Sequence, residues 1–599
     1  MTAAAVVPIA KRPGLKLASL AVANSKSDPK TKAKLGLRVW MERVVVECDR
    51  AANGLDNDPV HDLRVALRRC RSLADGMIAI DPDCAWKDMK KAGRKLFQAL
   101  GELRDMQVML EWIEKLSGPH NFTSIQPASN HSRSGDLTSP PSDSGYSNTQ
   151  RSPAGESSPG DDSDPVVVKL LEYIRAREAE CKGRARKDLD QFDRKQWRQW
   201  SRTLPQRAAR VRPGSATYQH LTLEKWTAAY DLHKHALRTR SQPSWHELRI
   251  GIKRFRYTVE NFLPRQHALW GSDLKDLQDL LGDVHDLDVL WALAVRIRAF
   301  PGLEHRRRWR EKLNLERGKR IARYREKMVG RQSLWQVWRA ELPSGPALRT
   351  AAMSRFRVWA GYLDPDFAHS QRVAQWAILL YEGLQSSGIL ASTGLASTRL
   401  ASTHSASTHS ASMHLASIDQ DPRAILQAAA LMHDIGRAKG EANHQKASWR
   451  MIRSMTRPLG WSARELDLAA VVARYHRGAL PRPRAKTMQL LELPDRPVAM
   501  KLAGILRLAA ALDSPDGNIG RENESAPRLE IRLRDRCVEL RVAGYSALNR
   551  SAEGVAAARH LLETVLRRPV LVQTLRVAGA SERPGAGVKA TRTLARPID

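Results

Sequence analysis

Long apolar runs are missing from this chain of 599 residues. No stretch approaches the roughly 18 apolar residues that span a bilayer, so no membrane span is expected. The run Ala3–Ala10 has no positive charges ahead of it, which argues against a secretory signal and makes a cytoplasmic protein the expectation. Cysteine is scarce as well. Cys48, Cys70, Cys84, Cys181 and Cys537 stand singly, without a CxxC pair or regular spacing. That excludes a disulfide framework or zinc ribbon and predicts reduced, buried thiols. Acidic residues fall well short of basic ones: 64 Asp+Glu face 98 Lys+Arg, a net charge of +34. A neutral globule is excluded, and the expected partner is a polyanion: nucleic acid, an anionic membrane or a polyphosphate chain. With 42% hydrophobic residues the chain can still build the cores of several domains, so wholesale disorder is excluded.

Composition divides the chain. Residues 1–33 read as a flexible N-terminus, and about 117–165 is a Ser/Pro/Gly/Asp excursion with nothing to bury. A second low-complexity stretch, about 386–417, is a near-repeat of Leu-Ala-Ser-Thr. Its His404, His409 and His414 recur every five residues, which fits drift of a repeat better than a metal site. The rest is mainly helical in period: one domain over 34–345, a second all-α domain over 350–520, and a small α/β element over 526–575. In that element Leu529–Leu533 and Val538–Val542 alternate apolar with polar as a hairpin, and Ala552–Arg568 reads as a helix. Residues 576–599 read as a flexible tail.

The sequence repeats itself. His61-Asp62-Leu63-Arg64-Val65-Ala66-Leu67-Arg68-Arg69-Cys70-Arg71 returns as His246-Glu247-Leu248-Arg249-Ile250-Gly251-Ile252-Lys253-Arg254-Phe255-Arg256. Leu100-Gly101-Glu102-Leu103-Arg104-Asp105 likewise returns as Leu281-Gly282-Asp283-Val284-His285-Asp286. At 100° per residue, offsets 0, 3, 7 and 10 form one stripe. His61, Arg64, Arg68 and Arg71 therefore share a face, as do His246, Arg249, Lys253 and Arg256, while Leu63, Leu67, Cys70 and Leu73 face the other way. Four cations in a stripe repel unless an anion lies among them, and guanidinium forks match phosphate oxygens. Further basic faces, Arg306/Arg310/Arg317/Arg320 and Lys87/Lys91/Arg94, add charge, although a single run is more often a solvated face.

The duplicated motif resembles the CHAD domain, a histidine-containing helical family of two homologous halves around a basic groove, over roughly Lys34 to Leu342. The resemblance implies binding of inorganic polyphosphate, at polyphosphate granules, with the eight stripe residues as ligands and no cofactor required. Trp197 and Trp200 interleave with cations, a pattern compatible with base stacking but more often a core stripe. No nucleic-acid-binding motif accompanies them, so nucleic acid is the lesser partner.

A second constellation is metal-like. His433-Asp434 closes an apolar helix, with His369 upstream and His444 and His476 downstream, an ordered set that can share one cation. These residues resemble the HD superfamily of metal-dependent phosphohydrolases, most nearly the C-terminal domain of exopolyphosphatase/guanosine-pentaphosphatase proteins. The resemblance implies a divalent metal, Mn, Mg or Fe, on His369, His433 and Asp434, with His444 and His476 as further candidates. It assigns Arg437 to substrate phosphate. The family pattern has a ligand Asp where this chain has Ala510, and Asp513, one turn on, is the candidate replacement. No Gly-rich phosphate loop occurs, so the actin-like domain of exopolyphosphatases is not expected. Two classes of function follow, a polyphosphate binder or a metal-dependent phosphohydrolase of polyphosphate or nucleotides, with nucleic-acid binding as a third. Oligomeric state is not legible.

Overall fold

The computed structural model describes residues 36–117, 164–390, 421–513, 527–548 and 551–575. The expectations for the N-terminus, most of the Ser/Pro insert, the Ala/Ser repeat with His404, His409 and His414, and the tail lie outside these residues. The protein is mainly α. Helices α1 (Leu37–Asn53), α2 (Asn57–Ile78), α3 (Ala85–Ala92) and α4 (Arg94–Ser117) precede the insert, and α5 (Pro165–Asp190) and α6 (Arg194–Ala208) follow it. The second half holds α7 (Ala216–Thr239), α8 (Gln242–Phe262), α9 (Pro264–Arg296), α10 (Leu303–Met328) and α11 (Leu334–Ala340).

The apolar stripes dictate the packing. Leu63, Leu67, Cys70 and Leu73 of α2 are buried as the spacing requires, and so are Leu248, Ile252, Phe255 and Val259 at the matching places of α8. The two repeat helices also touch each other. Arg69 of α2 pairs with Glu260 of α8, and Asn261 Nδ2 donates to Ser72 Oγ at 2.9 Å. Gly76 permits the crossing: a Cβ there would lie 2.2 Å from the Phe262 ring. α4 and α5 pack together, sealed by Trp112, Ile113, Leu170 and Ile174 against Leu290 of α9, so the chain leaves for its insert and returns at one neck. Asp164 fastens that neck by accepting from Val166 N at 2.9 Å and from Trp309 Nε1 at 2.8 Å.

A second helical body follows: α12 (Gly345–Leu363), α13 (Phe367–Ser386), α14 (Pro422–Met432), a 3₁₀ turn (Ile435–Lys439), α15 (His444–Ser454), α16 (Ala463–Arg474), α17 (Lys486–Gln489) and α18 (Asp495–Leu512). Its own apolar cluster centres on Leu380, Leu426, Val472, Leu502 and Leu506. α12 joins the bodies by packing on α7. Arg355, buried, donates to Glu224 Oε1 at 2.5 Å and to Ala79 O at 3.1 Å, and Tyr362 Oη donates to Arg207 O at 2.7 Å.

Strands β1 (Leu529–Leu533) and β2 (Val538–Val542) form the expected antiparallel hairpin, with Leu529 opposite Val542. After α19 (Ser551–Leu566) the chain returns as β3 (Val570–Thr574), parallel to β2. That third strand was not anticipated: five residues after Pro569 are too few for a period to register. One further expectation is corrected and one alternative is decided. Cys48, Cys70 and Cys181 are buried, but Cys84 is exposed and Cys537 half-buried, because Cys84 precedes α3 outside any apolar stripe and Cys537 lies in the hairpin turn. Trp197 is 0% exposed and donates from Nε1 to Met41 O at 3.0 Å, so it is a core residue and offers no stacking platform.

Gly76→Ala forces a methyl group into the Phe262 ring. Overpacking of this kind costs about 1–3 kcal/mol, so urea denaturation of the variant should show a lower midpoint at an unchanged m-value.

Candidate functional site

Two sites emerge, one in each body. In the first, α2 and α8 bring Arg64, Arg68, Arg249, Lys253 and Arg256 close enough to act on one another's charge, with His61 and His246 near the starts of their helices and Arg71 toward α3. Arg71 donates from Nη1 to Lys90 O at 2.7 Å and lies 5.1 Å from the Phe97 ring. Neighbouring arginines find carboxylates: Arg69 has Glu260, Arg104 has Glu111, Arg317 has Asp288 and Arg320 has Asp283. Arg64, Arg68, Arg71, Arg249, Lys253 and Arg256 have none within ion-pair distance among the described residues, and the Nε–H groups of Arg64 and Arg68 are buried without an acceptor. Buried donors are ordinarily paired. These six cations are held by packing and repel one another.

The strain registers in their proton affinities. Burial, then Arg68, Arg104 and Arg249, pushes Arg64 down to about 10. Burial, then Arg249, Arg68 and Arg64, pushes Lys253 down to about 8. Burial with nearby arginines also lowers His61 and His246. The site has members that the stripe did not disclose. Arg104 and Asp105 on α4 and His285 and Asp286 on α9 occupy equal places in the second repeated segment. His285 Nδ1 lies 3.2 Å from His246 Nδ1, and burial together with Arg249 and His246 takes it down to about 4. Burial raises both carboxyls, Asp286 to about 6 against the pull of Arg249, so part of the groove's negative charge is removable near neutral pH. The signal that could have found these four residues was in view: the segment repeats with its ionisable pair in register.

The other basic faces do not join the groove. Arg317 and Arg320 brace α10 against α9 through Asp288 and Asp283, and Arg310 lies 5.3 Å from the Trp291 ring. Lys87, Lys91 and Arg94 are exposed.

In the second body, the end of α14, the start of α15 and the end of α16 converge. His433, Asp434, His444 and His476 are buried, and His369 enters from the first turn of α13. Each ring is fixed by its Nδ1. His433 Nδ1 donates to Ala430 O at 2.7 Å, His444 Nδ1 to Glu441 O at 2.9 Å and His476 Nδ1 to Ala473 O at 2.8 Å. A carbonyl can only accept, so in the neutral rings each Nε2 carries a bare lone pair. Those three Nε2 atoms lie 3.4, 3.2 and 3.4 Å from Asp434 Oδ1, which is buried and without a hydrogen-bond partner. His369 with His433 and Asp434, and Asp434 with His444 and His476, form two groups that could hold a metal ion. Lone pairs converging on one buried carboxylate suit a divalent cation, and imidazole with carboxylate is a donor set for Mn, Fe or Zn.

Burial works to raise the Asp434 carboxyl, but His433, His444 and His476 outweigh it and hold it well below the usual range. Burial lowers His433 and His476, whereas the nearby Asp434 carboxylate raises His444. Gly436 makes the convergence possible: a Cβ there would lie 2.1 Å from His444 O, and Ser448 Oγ ties the two segments by donating to His433 O at 2.6 Å.

Asp513 lies outside both His/Asp groups. Its carboxylate accepts from His369 Nδ1 at 2.7 Å and from Arg372 Nε at 2.9 Å, so it fixes the His369 ring. Arg437 donates to Glu441 Oε1 at 2.9 Å and lies 3.5 Å from Asp434 Oδ2. The cluster opens into a cavity of about 560 Å³ whose lining includes Ala510 and two cations, Arg477 and Arg507, but not Arg437. Arg477 and Arg507 went unnoticed in the sequence because they are far apart in the chain and meet only where the end of α16 packs beside α18.

A duplicated helical module with unpaired cations is followed by a helical body with a His/Asp cluster, and the comparisons with known families divide the chain in the same order. Residues 41–295 match the family model of the CHAD domain, and residues 359–530 match that of the Ppx/GppA phosphatase, domain III. The chain thus carries a CHAD domain followed by a Ppx/GppA-type third domain, and it is a polyphosphate-related protein. The third domain is compatible with divalent-metal use. No curated protein matches the chain. Among the described residues no helix is long and apolar enough to cross a membrane.

The groove's proton affinities set a pH profile. Below about 6, Asp286 gains a proton and loses its negative charge; above about 8, Lys253 loses its positive one. Both changes run the same way, so affinity for a polyanion should fall steadily from pH 5 to pH 9. Each inflection is worth roughly tenfold for every unit by which the anion raises that group's pKa. Titration calorimetry on Asp286→Asn should lose the lower inflection, and on Lys253→Arg the upper one. For the His/Asp cluster, Asp513→Asn removes the carboxylate behind His369 and should weaken Mn²⁺ binding about 10- to 100-fold, the usual effect of such a partner.

Proposed function

We propose that the protein binds inorganic polyphosphate in the groove between α2 and α8. The carrying observation is the set of six cations on two touching helices with no carboxylate partner among the described residues, two of them with buried N–H groups lacking an acceptor. A phosphate chain supplies an oxyanion for each guanidinium fork, relieves the mutual repulsion and restores the lowered pKa values toward normal. Arg64, Arg68, Arg249 and Lys253 form the floor of this reading; His61, Arg71, His246 and Arg256 flank it. Asp105 and Asp286 tune the charge. Nucleic acid is the weaker occupant, since Trp197 is spent on the core.

A second reading concerns the His/Asp body. His369, His433, Asp434, His444 and His476 would hold a divalent metal, which when bound supplies Lewis-acid polarisation of phosphate and an activated water. The chain's own residues orient that site: three backbone carbonyls and Asp513 fix the rings, and Arg477 and Arg507 bring positive charge to the cavity. Convergence of the Nε2 lone pairs favours a metal-dependent phosphohydrolase over a purely structural domain. The granule association that a CHAD domain suggests would follow from the groove alone.

Changing Arg64, Arg68, Arg249 and Lys253 together to Ala should lower affinity for long-chain polyphosphate at least ~100-fold, because a hydrogen bond to a charged group contributes about 1.5–3 kcal/mol. Fluorescence anisotropy with labelled polyphosphate reads the loss. Duplex DNA at equal phosphate concentration should compete poorly; equal competition, or an unaffected variant, contradicts the reading.

A further inference from the structure

The cavity beside the His/Asp cluster has a second wall, from a part of the chain that the family match does not reach. The match ends at residue 530, whereas Ser551, Gly554, Ala557 and Ala558 of α19 face the cluster across the cavity. α19 is placed there by packing on α18: Gly504 is so near that a Cβ would lie 3.2 Å from the Leu562 backbone.

One buried polar group in this cavity lacks the partner such groups ordinarily find, and two cations, the exposed Arg477 and the half-buried Arg507, face it. Ser551 is 4% exposed and its Oγ makes no hydrogen bond among the described residues, although a hydroxyl can both donate and accept. It lies in the first turn of a 16-residue helix, where backbone N–H groups have no intrahelical acceptor and the helix dipole favours an anion. Glu553 in the same turn is exposed and does not line the cavity. Across from it, Arg477 has no carboxylate within ion-pair distance among the described residues. Arg507 spends one Nη1 and one Nη2 proton on Tyr475 O at 3.3 Å and Gly478 O at 2.6 Å, which fixes the segment carrying His476 and leaves its other N–H groups available. The remaining wall is small: Ala510, Ala511, Gly554 and Ala557 leave the 560 Å³ open.

We propose that α19 completes this cavity as a site for one terminal phosphoryl group, read by Ser551, Arg477 and Arg507 opposite the His/Asp cluster. The inference rests on the reading of that cluster as a metal centre for phosphate compounds and adds the group it receives. Two guanidinium groups, one hydroxyl and a helix N-terminus match a single phosphate dianion, as found on a phosphate monoester or at the end of a phosphate chain. The interior phosphates of a chain carry less charge and belong to the longer row of cations in the groove. Ser551 and Arg477 are positioning residues that set where the terminal phosphate sits.

The test uses the full chain with the groove silenced by the four Ala changes, titrated calorimetrically with inorganic phosphate, pyrophosphate and cyclic trimetaphosphate, with and without Mn²⁺. Phosphate and pyrophosphate should bind and trimetaphosphate, which has no terminal group, should not. Ser551→Ala and Arg477→Ala should each weaken phosphate roughly tenfold while Mn²⁺ affinity stays the same. Ser551→Ala should also melt no lower than its parent, since it removes an unpartnered buried hydroxyl. Ala557→Trp, which fills the cavity from an exposed position, should abolish phosphate binding. Phosphate affinity unchanged in these variants, or trimetaphosphate binding as well as pyrophosphate, overturns the proposal. Absence of Mn²⁺ uptake with Ser551-dependent phosphate binding intact refutes the metal reading and leaves the phosphate wall standing.

Discussion

Like charges packed side by side, with no carboxylate at ion-pair distance among the described residues, organise this molecule. Two copies of one basic helix are pressed together by their apolar faces and by the Gly76–Phe262 contact, so the cations on their other faces cannot move apart. The mutual repulsion costs stability that the surrounding cores must offset. Such an arrangement is stable with a polyanion in place, and the surrounding structure shows that pairing was available: Arg69, Arg317 and Arg320 on neighbouring faces all have acidic partners. The groove is distinguished from the rest of a basic protein by the absence of those partners, more than by its charge.

The second body repeats the logic with lone pairs. Three backbone carbonyls pin three imidazoles so that their Nε2 atoms face a single carboxylate oxygen, and Asp513 pins a fourth ring. Electron pairs crowded around a buried oxygen suit a cation, as crowded cations suit an anion. Both are enforced by packing: Gly436 lets His444 approach His433, and α19 closes the side away from α14. The buried pair of Arg355 and Glu224 joins the two bodies into one molecule.

The groove was legible because duplication supplies its own control: a stripe that occurs twice is hard to ascribe to chance. The helical class and the hairpin followed from period alone. What escaped the sequence shares a physical reason. Asp105 and Asp286 stood in register in the repeated segment, but their effect depends on where α4 and α9 meet the repeat helices; Ser551, Arg477 and Arg507 matter through how distant segments meet, which no local pattern reports. Asp513 was recognisable as an acid near the end of α18, but only packing decides that it backs His369 from outside the His/Asp groups. Trp197 was legible too: a tryptophan pair spaced i, i+3 is more often a core stripe than a stacking platform, and Trp197 lies in the core.

The central claim is that the groove's unpaired cations await a polyanion, and its most direct test is the salt dependence of polyphosphate affinity. With six cations engaged, the slope of log K against log [NaCl] should be about −4, at roughly 0.7 counterions released per contact, the value for single-stranded polyanions. A slope near zero, or one unchanged when Arg64, Arg68, Arg249 and Lys253 are replaced by Ala, would contradict the account.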